Sequence, residues 1–154
     1  MKSAIRYIMG VTALLACATP SLAEWESTQW GMSPDEAMGV LDGATSHSPD
    51  ASEIYEFQDA KYEPLVSLDH TVGGIEGQAL LLFDTDHALH SVLFTPANLA
   101  QCDDLTAALI EAHGAVEATG FGSTAIYNWA DGNDVIRHTN SPGIGICNLN
   151  YSAE

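Results

Sequence analysis

The sequence predicts an α+β fold in which helices lie on one antiparallel sheet as two layers. Three observations predict it. Apolar residues recur at helical spacing in two separate segments, short runs rich in β-branched and aromatic residues fill the stretches between them, and the turns joining those runs are too short for the crossovers that parallel strands need. The order helix, strands, helix, strands also suggests a duplicated α-β-β-β unit, although no residue-level repeat accompanies it.

A leader comes first. Lys2 and Arg6 form a basic start, Tyr7 to Ala16 form an apolar run, and Pro20 breaks that run ahead of the small-x-small site Ser21-Leu22-Ala23. This reads as a secretory signal peptide over residues 1–23, leaving 24–154 as a single domain. Leu14-Leu15-Ala16-Cys17 is similar to a bacterial lipobox, but Leu15 departs from its preference and the cleavage site follows six residues later, so a lipid anchor at Cys17 is the disfavoured alternative. No later stretch approaches the roughly 20 apolar residues of a membrane-crossing helix.

The first helix starts at Ser33-Pro34-Asp35-Glu36, where Ser33 caps the free amides, Pro34 suits the first helical position and Glu36 completes a capping box. Ala37, Met38, Val40 and Leu41 give it an apolar face, and Gly43 offers a left-handed stop. Residues 43–49 read as a loop. Strands follow at Ile54 to Phe57, Leu65 to Val72, Gly77 to Phe83 and Ala88 to Phe94. Pairing of the last two across Asp84 to His87 sets Phe83 opposite Ala88, Leu82 opposite Leu89 and Leu81 opposite His90.

Leu99, Cys102, Leu105, Leu109 and Ala112 mark the longer second helix, which Gly114 ends. The chain then returns to strands at Ser123 to Ala130 and Asn133 to Thr139, and in a last run through Tyr151 that sets Cys147, Leu149 and Tyr151 on one face. If that face lies under the second helix, Cys147 meets Cys102. With Cys17 lost or lipidated, these two are the remaining pair, and their disulfide would close about 45 residues, worth roughly 4 kcal/mol in the chain-entropy model.

Of the 154 residues only four are basic against 21 acidic, a formal net charge of −17. That balance excludes nucleic acid and anionic membranes as partners held by phosphate contacts. Once the leader is removed, Lys61 and Arg137 are the only fixed cations, so most carboxylates must face water without an ion-pair partner. A solvated acidic surface is the plain reading, and a divalent-cation site or a basic partner is the sharper one.

The opening Trp30-Gly31-Met32-Ser33-Pro34-Asp35-Glu36, the Leu-rich helix ending His113-Gly114, Trp129 and the terminal Tyr151 together resemble small exported proteobacterial proteins that begin with a Trp-Gly-Met-Ser/Thr-Pro-acidic stretch. Only the opening is at all specific. The outline is also similar to β-lactamase-inhibitor-like modules and small outer-membrane assembly lipoproteins, a topological likeness. The resemblance implies an exported α+β protein and no catalytic residue.

For chemistry, Asp84, Asp86, His87 and His90 place four metal-capable side chains in seven residues. His87 at a hairpin tip and His90 three residues along a strand point to opposite faces, which disfavours a shared ion. His70 and His138 read as lone strand histidines. Gly120-Phe121-Gly122-Ser123 lacks the spacing of a dinucleotide fingerprint, and no nucleophile elbow, phosphate loop or His-Glu-x-x-His occurs. A chain this small leaves little room for a paired-carboxylate glycosidase cleft. The sequence therefore points to an exported, periplasmic or secreted, noncatalytic module with no cofactor, binding an envelope protein or a small ligand through Trp25, Trp30 or Trp129 if these are uncovered. The alternative is a metal-dependent hydrolase using Asp84, Asp86, His87 and His90.

Overall fold

A computed structural model describes residues 25–57 and 59–154; the leader expected over 1–23, and Cys17 with it, lies outside them. Helix α1 spans Pro34–Val40 and α2 spans Cys102–His113. The strands are β1 (Thr45–Ser46), β2 (Tyr55–Phe57), β3 (Ala60–Val72), β4 (Ile75–Phe83), β5 (Leu89–Pro96), β6 (Ala125–Asp131), β7 (Asp134–Ser141) and β8 (Ile146–Ala153). They form an eight-stranded antiparallel sheet in the order β1-β3-β4-β5-β8-β7-β6, with β2 paired to β3 off that path.

The fold is mainly β, which corrects the expected two-layer α+β arrangement. The helices are only 7 and 12 residues long, whereas β3 alone runs for 13. The expected α-β-β-β duplication also falls, because five strands precede α2 and three follow it. Local chemistry explains the shift. The apolar pattern of α1 is interrupted by Gly39 and gives out before Gly43, which holds φ +78°. Pro64 sits within β3, where the pairing to β4 shifts register between Pro64 and Val66, so the missing amide falls at an irregularity of the ladder.

The sheet's apolar face can be followed across the strands. One row runs Val66, Leu81, Val92, Tyr151, Ile136 and Trp129, and the next runs Leu68, Ala79, Phe94, Leu149, His138 and Tyr127. Ala37 and Leu41 of α1 pack on the first half of these rows, with Trp25 and Phe83; Cys102, Leu105 and Leu109 of α2 pack on the second. Ser33 caps α1 with the full capping box, its side chain accepting from the Glu36 amide while the Glu36 carboxylate accepts from the Ser33 amide at 2.8 Å. Those bonds hold the Glu36 carboxyl below its ordinary range.

The β4–β5 hairpin departs from the expected register. Phe83 faces Leu89, Leu82 faces Ser91 and Leu81 faces Val92. The loop is three residues, Thr85, Asp86 and His87, closed by Asp84 N–H donating to Ala88 O and His87 N–H donating to Asp84 O, with His87 in the left-handed region at φ +58°. That turn moves the pairing by one residue. An irregularity between Leu82 and Phe83 moves it by one more, so the apolar side chains return to the covered face.

Cys102 at the start of α2 is disulfide-bonded to Cys147 on β8, with their Cα atoms 5.8 Å apart. Beside the bridge lies a polar clasp. Fully buried His138 sets Nδ1 at 2.8 Å from the Asn148 carbonyl and Nε2 at 2.8 Å from Thr106 Oγ1. A carbonyl only accepts, so neutral His138 carries its proton on Nδ1, and the single proton of the Thr106 hydroxyl is shared between His138 Nε2 and the Cys102 carbonyl 2.9 Å away. Asn140 Nδ2 donates to Thr106 Oγ1 and to the Asp103 carboxylate.

Burial pushes the His138 pKa down, against the smaller upward pull of its bond to Asn148. The folded state thus binds fewer protons than the unfolded chain between the folded pKa and about 6.5. Stability from this group is complete above about pH 6.5 and is lost as pH falls through the folded pKa. Urea unfolding at pH 7.5 and at 5 is expected to give a lower free energy in acid, with a smaller drop in His138→Gln; an equal drop in both would remove His138 from the account.

Candidate functional site

A cleft of about 330 Å³ opens between the segment at Trp25 and the end of α2. Five separate stretches build it: Trp25 and Glu26, His70 to Gly73, His113, Asp131 to Ile136, and Tyr151. The N-terminal segment is tied in by chemistry local to Trp30 to Met32. Gly31 N–H donates to Leu89 O, Leu89 N–H donates to Met32 O, and Trp30 Nε1 donates to Asp134 Oδ1 at 2.8 Å. Asp134 is thereby fixed at the start of β7, just past the two-residue turn Gly132-Asn133, whose tight reversal needs the left-handed glycine at φ +65°.

Aromatic rings form the floor. Trp25 meets the His70 ring edge-on at 5.0 Å and lies 6.4 Å from the Tyr151 ring, and His113 lies 6.0 Å from Trp129. Carboxylates form the rim: Glu26 Oε1 is 3.6 Å from His70 Nε2, and Asp131 and Asp134 stand opposite. Burial, with a smaller contribution from Glu26, pushes the Tyr151 hydroxyl up to about 12, so it stays a neutral phenol at all physiological pH. Neither fixed cation of the described residues is present. Lys61 is paired with Glu63 at 2.6 Å, and Arg137 follows Ile136 in β7 and so points to the other face of the sheet. Chemically, the cleft offers π faces beside uncompensated negative charge.

The residues singled out from sequence fall elsewhere or serve other ends. Trp25 and Trp129 are each 5% exposed and Trp30 is half-buried, so all three are packing residues, with Trp129 Nε1 donating to Gly114 O. Asp84 Oδ1 accepts from the amides of Asp86 and Ala88, which makes it the brace of its own turn. Asp86 and His87 project into solvent, while His90 stacks on Tyr62 at 4.3 Å. Among the described residues no group of three or more His, Cys, Asp or Glu side chains is placed to hold a metal ion. The turn therefore separates the four candidates that the sequence sets close together.

Sequence reasoning missed His113, Asp131 and Asp134 as cleft residues, and no linear signal links them to His70 or Tyr151. Comparison with models of protein families, with curated proteins and with solved structures finds no match for this chain.

Proposed function

We propose that the chain is an exported, noncatalytic binding module, and that its cleft takes the cationic group of a small ligand or of a partner side chain. The observation that carries this reading is the composition of the cleft: Glu26, Asp131 and Asp134 around the partly exposed ring of Tyr151, with no fixed cation among them. A guanidinium or ammonium group set over an aromatic face gains about 0.5–2 kcal/mol, and a nearby carboxylate adds to that gain. Export is supported by the disulfide between Cys102 and Cys147, since such bonds persist in oxidising compartments, and by the leader-like start of the sequence. No helix among the described residues is long and apolar enough to cross a membrane.

Titration calorimetry with Nα-acetylarginine amide and its uncharged counterpart Nα-acetylcitrulline amide tests the reading. The arginine compound is expected to bind saturably and about tenfold more tightly, with affinity falling in high salt and in Asp131→Asn/Asp134→Asn. Asparagine at 134 keeps the acceptor for Trp30, so the cleft retains its shape. Equal binding of the two compounds, or none at millimolar concentration, would reject a cation-selective cleft.

A further inference from the structure

The first three residues of β3 lie beyond the start of the β4 pairing at Glu63 and pair only with β2, so Tyr55–Phe57 and 60–62 form a short hairpin arm. Alternation along paired strands sets Tyr55, Phe57, Ala60 and Tyr62 on one side of the arm and Glu56, Lys61 and Glu63 on the other. Phe57 is 66% exposed and Tyr55 42% exposed, and neither belongs to a core cluster. Tyr62 is held by its stack on His90. A hollow of about 320 Å³ adjoins the arm, lined by Glu56, Phe57, Asp59, Ala60 and Lys61. Lys61 is already paired with Glu63, so the free charge facing that hollow is that of Glu56 and Asp59.

We infer that this arm is a docking surface for a partner protein that presents an extended segment of alternating basic and apolar side chains. Its Lys or Arg side chain reaches the hollow, which Phe57 and Glu56 border from the two sides of the arm together with Asp59, and sets its charge against the two carboxylates. Its apolar residues cover Tyr55. Large, stiff aromatic side chains left uncovered are the residue types that carry interface energy, and the carboxylates select the sign of the partner. A second copy of this chain is the wrong occupant, because it would set Glu56 and Asp59 against their own equivalents on a molecule of net charge −17. The site is separate from the cleft and stands whether or not the cleft binds cations.

The test is an NMR titration of the isotope-labelled full chain with an acetylated, amidated Arg-Leu repeat peptide and with the same peptide carrying citrulline for arginine. The expected result is saturable shifts at Tyr55, Phe57 and Ala60 with the arginine peptide, and binding fitted from the shift of Ala60 about tenfold weaker in Tyr55→Ser/Phe57→Ser. The shift map on the unsubstituted chain stands even if the variant loses its fold. Shifts confined to other surfaces, no saturable shifts, or equal response to the citrulline peptide would overturn the inference. So would sedimentation showing a dimer that Phe57→Ser dissolves, which would make a second copy the occupant.

Discussion

Replacing Cys102 and Cys147 together by alanine is expected to lower the unfolding free energy by about 4 kcal/mol. The bridge spans 45 positions of sequence and both cysteines are almost fully buried, at 1% and 2% exposure. Its main effect is on the unfolded chain, which without it gains the freedom of that loop. The two origins of destabilisation separate in a urea titration. Releasing the crosslink expands the unfolded state and should raise the denaturant slope, whereas a loss of packing alone leaves the slope unchanged. A midpoint that hardly moves, with an unchanged slope, would show that the bridge does not restrain the unfolded ensemble.

Phe94→Ala is expected to cost about 3–5 kcal/mol, with the denaturant slope unchanged. Phe94 is fully buried on β5 between Ala79 of β4 and Leu149 of β8, beneath Leu105 and Leu109 of α2. Its ring also lies over Gly77, where any side chain would collide with it and with the Thr95 carbonyl. The sheet therefore opens a place for this one ring and fills it from no other side, so alanine leaves a cavity that rigid backbone cannot close. Against a typical total of about 5–15 kcal/mol, either change removes a substantial share of stability. A loss below about 1 kcal/mol for Phe94→Ala, measured by the same titration, would mean that the neighbouring side chains collapse into the space.

Cys102, Cys147 and Phe94 belong to the part of the fold that could be read from sequence. The capping box at Ser33 and Glu36, the end of α2 at Gly114 and the shared face of Cys147, Leu149 and Tyr151 each rest on contacts within a few residues, and each is found. The pairing of Cys102 with Cys147 rests on their being the pair left once Cys17 is set aside, with the period of two elements giving them a place to meet, and it is found. What failed depended on competition between local signals. The strand expected from Leu65 to Val72 runs back to Ala60 through Pro64, which an irregular register absorbs, and the His87 turn adds a residue that the sequence does not announce.

The candidate site was less legible than the fold. Trp25, Trp30 and Trp129 were a binding surface only if uncovered, yet Trp25 and Trp129 are consumed by the core, and the aromatics left in solvent are Phe121 ahead of β6 and Tyr55 and Phe57 on an arm. The cleft joins Glu26, His70, His113, Asp134 and Tyr151, whose spacing reflects the strand order and has no local period.

The strand order also bears on when this molecule can become complete. β8, the last of the described strands in chain order, does not add to a margin of the sheet but inserts between β5 and β7, and among the described residues it is the only strand joining the earlier strands to β6 and β7. Until Ile146–Ala153 is available, the two parts have no shared ladder, and Cys102 has no sulfur to meet. Closure of the whole sheet is therefore deferred until β8 has been made, and the contacts that complete it are among the most distant in sequence, which slows folding.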